Sequence, residues 1–421
     1  MTTNAPAKAC GIDFGTSNST VGWLRPGQET LIALEDGKIT LPSVVFFNYE
    51  EDHTVFGRQA LQEYMEGYEG RLMRSLKSLL GSSLMDSQTE VQGRALPFRA
   101  LLTHFIGELK TRADHAAHKS FDSVVLGRPV FFVDDNPKAD KLAEDTLADI
   151  ARSVGFKDIS FQFEPLAAAF DYESTISKEE LVLIVDIGGG TSDFSLVRLS
   201  PQRHRHDERK DDILATGGVH IGGTDFDKQL NLNGVMPLFG YKSRLRNNAE
   251  MPSAQFFNLA TWHTINFAYT RKAWMDLQDI HRDVANPAAF DRLFTLINQR
   301  DGHRLAMLVE DAKIDLSAKA EHHLPLDMVE AGLAAELVRA DFEQYIDNLL
   351  GQIGLTVERL LQDAGASTAE VDTVFFTGGS SGVPALRQRI QDLLPQARHV
   401  EGNLFGSIGS GLAIEAHKRY G

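Results

Sequence analysis

Apolar and polar positions change period along the chain in a way that predicts strands and helices mixed throughout. Strand, turn and strand occupy the stretch up to Trp23, and the run Thr40–Phe47 is rich in strand formers. Glu63–Leu80 and Phe98–Lys119 carry helical spacing. Phe121–Phe132 reads as a buried strand. Lys138–Phe156 reads as an amphipathic helix with Leu142, Leu147, Ile150, Ala151 and Val154 along one side. Ile159–Phe163 is a strand, and Pro165 sits in the first turn of the helix that follows.

A second series opens at Leu181. Leu181–Asp186 and Ser192–Leu199 are strands, the charged stretch Gln202–Lys210 is a solvated connection, and Ile213–Gly217 is a further strand. Residues 231–305 are mostly helical, with Trp262, Phe267, Tyr269 and Trp274 as core aromatics. His303–Ser317 and Glu336–Ala364 are long helices, and Val371–Ser381 is a strand running into a glycine turn. The small-residue stretch Phe405–Tyr420 predicts a helix start packed closely on a neighbour. Alternation of this kind means an α/β protein.

Composition narrows the function classes. The 42 basic and 58 acidic residues give a formal charge of −16, which argues against nucleic acid and anionic membrane as partners. No run approaches the roughly 20 apolar residues of a membrane span. The single cysteine, Cys10, excludes an internal disulfide, and with no signal-peptide pattern the expected location is cytoplasmic.

Two phrases carry chemistry. "CGIDFGTSNSTVGW" at Cys10–Trp23 and "IVDIGGGTSDFSLV" at Ile184–Val197 each place an Asp inside an apolar strand, two residues before a glycine turn. Turns of successive N–H groups make anion-binding nests. Gly15, Thr16, Ser17 and Asn18 form one, and Gly188, Gly189, Gly190 and Thr191 the other, so two facing nests would grip a polyphosphate. Asp13 and Asp186 suit such a site only with a hydrated hard cation between them, the habit of Mg2+. Asp193, on the returning strand, is placed to act on a water attacking a terminal phosphate. Two ordinary hairpins with capping Asp residues are the alternative. There is no Walker A loop, and "GGGTSD" turns into a strand rather than the helix of a Rossmann fingerprint.

The ordered motifs resemble the nucleotide-binding domain of heat-shock protein 70 chaperones, within the actin-like ATPase superfamily. "GIDFGTSNS" and "VDIGGGTSDFSL" look like the two phosphate motifs, "SLKSLLG" the lysine segment, and "FEPLAAAFDY" the hinge. "ATGGVHIGGTDFDKQL", "EDAKIDLS" and "FFTGGSSGVP" look like the second glycine pair, the adenosine helix and the adenosine turn. The resemblance implies two lobes, each with a ribonuclease H-like core, around a cleft binding ATP or ADP with Mg2+. It implies Asp13, Lys77, Glu164, Asp186, Thr191 and Asp193 as the reacting set, with Asp13 and Asp186 holding the metal through water. Gly222, Gly223, Glu310, Lys313, Ser317, Gly378, Gly379 and Ser380 would hold the nucleoside. The implied lobes are 1–180, with an outer part at 48–97, and 181–402, with core 181–230 and 318–402 and outer part 231–317. Residues 403–421 would return to the first lobe as a helix.

The resemblance also has gaps. Gly382 stands where the family has an Arg that packs on adenine, Asn403 stands at an acidic position, and Pro129 matches the hinge Pro without a clear switch Arg. The expectation from the resemblance is an ATPase core without a peptide-binding sandwich, similar to the short YegD-type chaperone relatives. The expected function is therefore a slow, monomeric ATPase switch with a protein partner or client. A non-hydrolysing interaction module, a small-molecule kinase and an actin-like filament protein are the rival readings.

Overall fold

The computed structural model describes residues 9–133, 136–206 and 209–421. In chain order, β1 (Ala9–Phe14), β2 (Asn18–Gly22) and β3 (Thr40–Pro42) form an antiparallel meander. β4 (Val44–Asn48), β5 (His53–Phe56) and β6 (Gly70–Arg74) make a small sheet, and β7 (Gln88–Val91) with β8 (Arg94–Pro97) a hairpin. β9 (Ser123–Arg128) and β10 (Asp158–Phe163) add in parallel to β1. β11 (Glu180–Ile187), β12 (Ser192–Leu199) and β13 (Ile213–Val219) form a second meander. After the hairpin β14 (Glu321–Pro325) and β15 (Ala334–Val338), β16 (Thr373–Thr377) and β17 (Arg398–Glu401) add in parallel to β11.

The two large sheets, ordered β10-β9-β1-β2-β3 and β17-β16-β11-β12-β13, repeat one topology. The sequence pattern explains why both can be covered on two faces. Along β11 the alternate residues Leu183, Val185 and Ile187 enter one core, while Val182 and Ile184 enter another. Along β1, Cys10, Ile12 and Phe14 face the helix Phe98–Ala117, and Ala9 faces the C-terminal helix Ser407–Tyr420. That last helix packs so closely that a Cβ on Gly11 would lie 2.4 Å from the Ala413 nitrogen, and one on Gly22 the same distance from the Gly409 oxygen.

Four expectations need correction. Glu63–Leu80 is not one helix: Gly57–Met65 is helical, β6 follows, and Lys77 lies in a 3-10 turn, Leu76–Leu79. Gly67 at φ +90° breaks the helix, and pairing with β4 captures the next residues as strand. Leu142 is exposed, because the helix Pro137–Ser153 buries Ala143, Leu147, Ile150 and Ala151 instead. Phe267 is exposed, not core. Glu336–Ala364 starts as β15 and becomes helix only at Arg339.

Among the described residues, no helix is long and apolar enough to cross a membrane.

Candidate functional site

Asp13 and Asp186 each follow a run of buried residues in a strand covered on both faces, and each is itself half-buried. Both sit near the ends of equivalent central strands. Across the hairpin, Asp186 pairs in register with Asp193, and Asp13 with Thr20. Burial raises the Asp13 carboxyl to about 7, the Glu164 charge adds to this, and Lys77 opposes it. Burial likewise raises Asp186 to about 8, helped by Asp193, Glu164 and Asp13.

Lys77 lies at the centre of these acids. Its ammonium donates to Glu164 Oε1 at 2.6 Å, and the side chains are only 14% and 12% exposed. Burial works against its charge, but Glu164, Asp13 and Asp186 hold its pKa above the ordinary value. Glu164 opens the helix Glu164–Ala168, with Pro165 in its first turn. Three carboxylates, those of Glu164, Asp13 and Asp186, act on one ammonium here, a local deficit of positive charge that suits a hydrated divalent cation. Among the described residues, no group of three or more His, Cys, Asp or Glu is arranged to ligate a metal directly. Holding a metal through water asks for fewer protein ligands than that.

The two glycine turns touch each other. A Cβ on Gly189 would lie 2.1 Å from Ser17 Oγ. Ser43 braces the first turn, its N–H donating to the Ser17 carbonyl and its hydroxyl to the Gly15 carbonyl. The second turn closes with Gly188 N–H donating to Thr191 O at 2.9 Å. Gly223 and Thr224 N–H groups donate to the Gly188 and Gly189 carbonyls, so Gly222 and Gly223 brace this turn from behind. Thr191 Oγ1 donates to Asp193 Oδ2 at 2.9 Å, and Asp193 is exposed.

The nucleoside residues form a second cluster. Lys313 is buried, pairs with Asp227 at 2.8 Å and donates to the Gly223 carbonyl. Burial raises Asp227 to about 6 against the pull of Lys313, with Glu310 adding to the rise. Ser317 Oγ donates back to the Lys313 carbonyl, and Ser380 Oγ would lie 2.3 Å from a Cβ on Gly223. Gly378, at φ +80°, passes so close to Asp186 that a Cβ would lie 2.4 Å from its Oδ1. The structure thus gathers Asp13, Lys77, Glu164 and Asp186 into one cluster, and Lys313, Ser380 and Gly223 into a second beside it.

A cavity of about 600 Å3 reaches Glu164, Asp186 and Asp193 from another side, walled by Pro129–Phe131 and Thr216–Gly218. A larger one, about 790 Å3, lies away from these acids among Glu35, Glu63, Arg58 and Arg112.

Sequence reasoning missed two groups. Arg74 stacks its guanidinium 4.1 Å over Trp262, and Tyr64 meets His303. The partners are far apart in the chain, so no local pattern signals them. The stretch Gln202–Lys210 is not simply a solvated connection, although 207–208 lie outside the described residues. Arg209 is buried and doubly bonded to Glu173, and His204 also bonds Glu173.

A family model described as Hsp70 protein matches residues 9–245 and 295–419. The chain is 25% identical to the "Chaperone protein DnaK" of Thermus thermophilus, covering 97% of this chain and 60% of that protein. Against the "Chaperone protein dnaK" of Cyanidioschyzon merolae the identity is again 25%, over 97% and 61%. The chain therefore spans about three fifths of the length of the curated relatives it matches.

Proposed function

The chain belongs to the Hsp70 family and carries its actin-like ATPase fold, and from that premise we propose that it binds ATP and ADP with Mg2+ and hydrolyses ATP slowly. The lobes in this reading are 1–180 and 181–402, with 403–421 returning to the first, and nucleotide sets the angle between them. The chemistry serves a chaperone-type switch acting on a protein partner in the cytoplasm, with the chain as a monomer.

One observation carries the reading: Lys77, paired with Glu164 at 2.6 Å, lies in the field of Asp13 and Asp186, two carboxylates near the ends of equivalent central strands. Such a cluster is costly without a ligand, and a cation bound there would neutralise the carboxylates and shield the phosphate charge. The two turns, Gly15–Asn18 and Gly188–Thr191, supply N–H groups to the phosphates. Lys77 holds a positive charge beside the terminal phosphoryl group while Glu164 fixes its position. Thr191 orients Asp193, which takes a proton from the attacking water. The water oxygen bonds the terminal phosphorus, the bond to the bridging oxygen breaks, and ADP and phosphate leave. Glu310, Lys313, Ser317 and Gly378–Ser380 enclose the nucleoside.

Calorimetry with MgATP tests the binding step. Wild type binds saturably and Asp186→Asn binds at least tenfold more weakly, while Lys77→Ala binds but releases no phosphate. Absence of binding at millimolar MgATP overturns the proposal.

A further inference from the structure

Resting on the nucleotide reading above, we propose that Phe405 is the surface on which the purine base stacks, on the glycine turn where Gly382 offers no side chain.

The sheet places it there. β16 and β17 run parallel, with Phe376 opposite Glu401, so their following loops leave the same edge side by side. Ligands in open α/β sheets bind outside the carboxyl ends of parallel strands, between such loops. The loop after β16 is the glycine turn Gly378–Gly382, and the loop after β17 holds Leu404 and Phe405. The two meet directly. A Cβ on Gly379 would lie 2.5 Å from Phe405 Cε1 and 3.0 Å from its Cζ, so the ring rests on bare backbone. Leu404 covers Gly382 in the same way, its Cδ1 at 3.6 Å from a Cβ there.

Phe405 is nonetheless 53% exposed. One part of the ring sits on the glycine and the rest is open. Exposed aromatics elsewhere, such as Phe257 and Phe267, have no such seat on a ligand turn. One residue along the turn, Ser380 meets Gly223, whose carbonyl accepts from Lys313, which places the ring at the nucleoside cluster. The loop is also pre-organised. Asn403 Oδ1 accepts from the Phe405 N–H at 3.2 Å, and the Asn403 carbonyl accepts from the Gly406 N–H and the Ser407 hydroxyl. Asn403 therefore fixes the aromatic loop. A purine face laid on Phe405 gains stacking and apolar burial without any charge on the protein side.

Calorimetry with MgADP and with inorganic magnesium triphosphate, which has no base, separates this role from the rest of the site. Phe405→Ala is expected to weaken MgADP about tenfold, the usual scale for loss of one aromatic base stack, and to leave triphosphate unchanged. Phe405→Trp is expected to bind MgADP like wild type, with emission quenched by MgADP and not by triphosphate. An unchanged MgADP affinity in Phe405→Ala, equal losses for both ligands, or no quenching in Phe405→Trp overturns the stacking role while the nucleotide reading stands. Failure of wild type to bind either ligand overturns both.

Discussion

Tyr64 and His303, 239 residues apart, meet edge to face with the tyrosine hydroxyl 2.9 Å from His303 Nδ1. Trp262 packs on the other side of His303, with ring centroids 4.7 Å apart, and Arg74 lies over Trp262. Tyr64 and Arg74 come from the first half of the chain, and Trp262 and His303 from the second. Burial, aided by Arg74, lowers His303 to about 4, so it stays neutral at physiological pH and shares a neutral hydrogen bond with the tyrosine hydroxyl. The four residues form a clasp between the halves. Trp262 lies in 246–294, outside the stretch matched by the family model.

If nucleotide release parts the two halves, as the proposed switch requires, the clasp must break. Trp262→Ala should speed ADP release about 3–30-fold, the span of a partly desolvated cation–π contact. Tyr64→Phe should give a change of about fivefold, the worth of one neutral hydrogen bond. Stopped-flow release of a fluorescent ADP analogue measures both. Rates equal to wild type would remove the clasp from the release step.

The acid cluster makes a pH prediction. The Asp13 and Asp186 carboxyls have an ordinary value of 3.8 and are raised to about 7 and about 8 by folding. The folded chain holds protons there that the unfolded chain releases. The stability they confer is full below pH 3.8 and is lost as pH rises through 7 to 8. Ligand-free protein should therefore melt at a lower temperature at pH 9 than at pH 6. Asp186→Asn, which cannot ionise, should flatten that slope and raise the melting temperature at pH 9 by about 2 °C or more. Mg2+ should stabilise wild type more at pH 9 than at pH 6, because it displaces those protons. Thermal scans at fixed ionic strength decide, and a flat wild-type profile refutes the electrostatic account.

Glu173 and Arg209 form a fully enclosed pair. Arg209 donates to both Glu173 oxygens at 2.6 and 2.8 Å and, through Nε, to Asp212 at 2.7 Å. Their side chains are 0% and 2% exposed. Arg209→Ala removes the guanidinium that holds both oxygens of this buried carboxylate, leaving it only the Ser200 N–H and His204, and should cost about 3–5 kcal/mol. Urea unfolding at pH 7 measures this, and a loss below 1 kcal/mol would show that the site takes up water.

These contacts mark where sequence reading works and where it stops. The Asp–glycine hairpins are legible because each is a local phrase. An apolar strand buried on both faces has few reasons to hold an acid, so Asp13 and Asp186 stand out against their own neighbours. The pairing of Lys77 with Glu164 spans 87 residues, yet both lie in recognisable motifs. By contrast, Gly70–Arg74 has helical spacing and becomes a strand because β4 offers it a ladder. Arg209 reads as a solvated charge and is buried because Glu173, on a distant segment, is there to meet it. Phe405 reads as the start of the C-terminal helical stretch, yet it precedes the helix Ser407–Tyr420 and rests on Gly379 in the adjoining loop. In each miss, tertiary partners overrode a local preference.

Glycine identity separates local from tertiary demands most sharply. Gly351 lies within the helix Arg339–Asp363, and a Cβ there would meet nothing within 4 Å. Gly351→Ala should therefore stabilise the protein by about 0.5–1 kcal/mol through lost unfolded-state entropy. Gly411, also helical, is the opposite case: a Cβ would lie 1.9 Å from the Ala167 carbonyl oxygen, which is backbone and cannot swing away. Gly411→Ala should cost about 3 kcal/mol, the upper end of over-packing penalties. The displacement would also reach the site, because Ala167 belongs to the same short helix as Glu164, the partner of Lys77. Urea unfolding of the two variants should give shifts of opposite sign. Hydrolysis should fall in Gly411→Ala and stay unchanged in Gly351→Ala. If Gly411→Ala unfolds like wild type, the C-terminal helix does not hold the Glu164 helix in place, and the link from that helix to Lys77 fails.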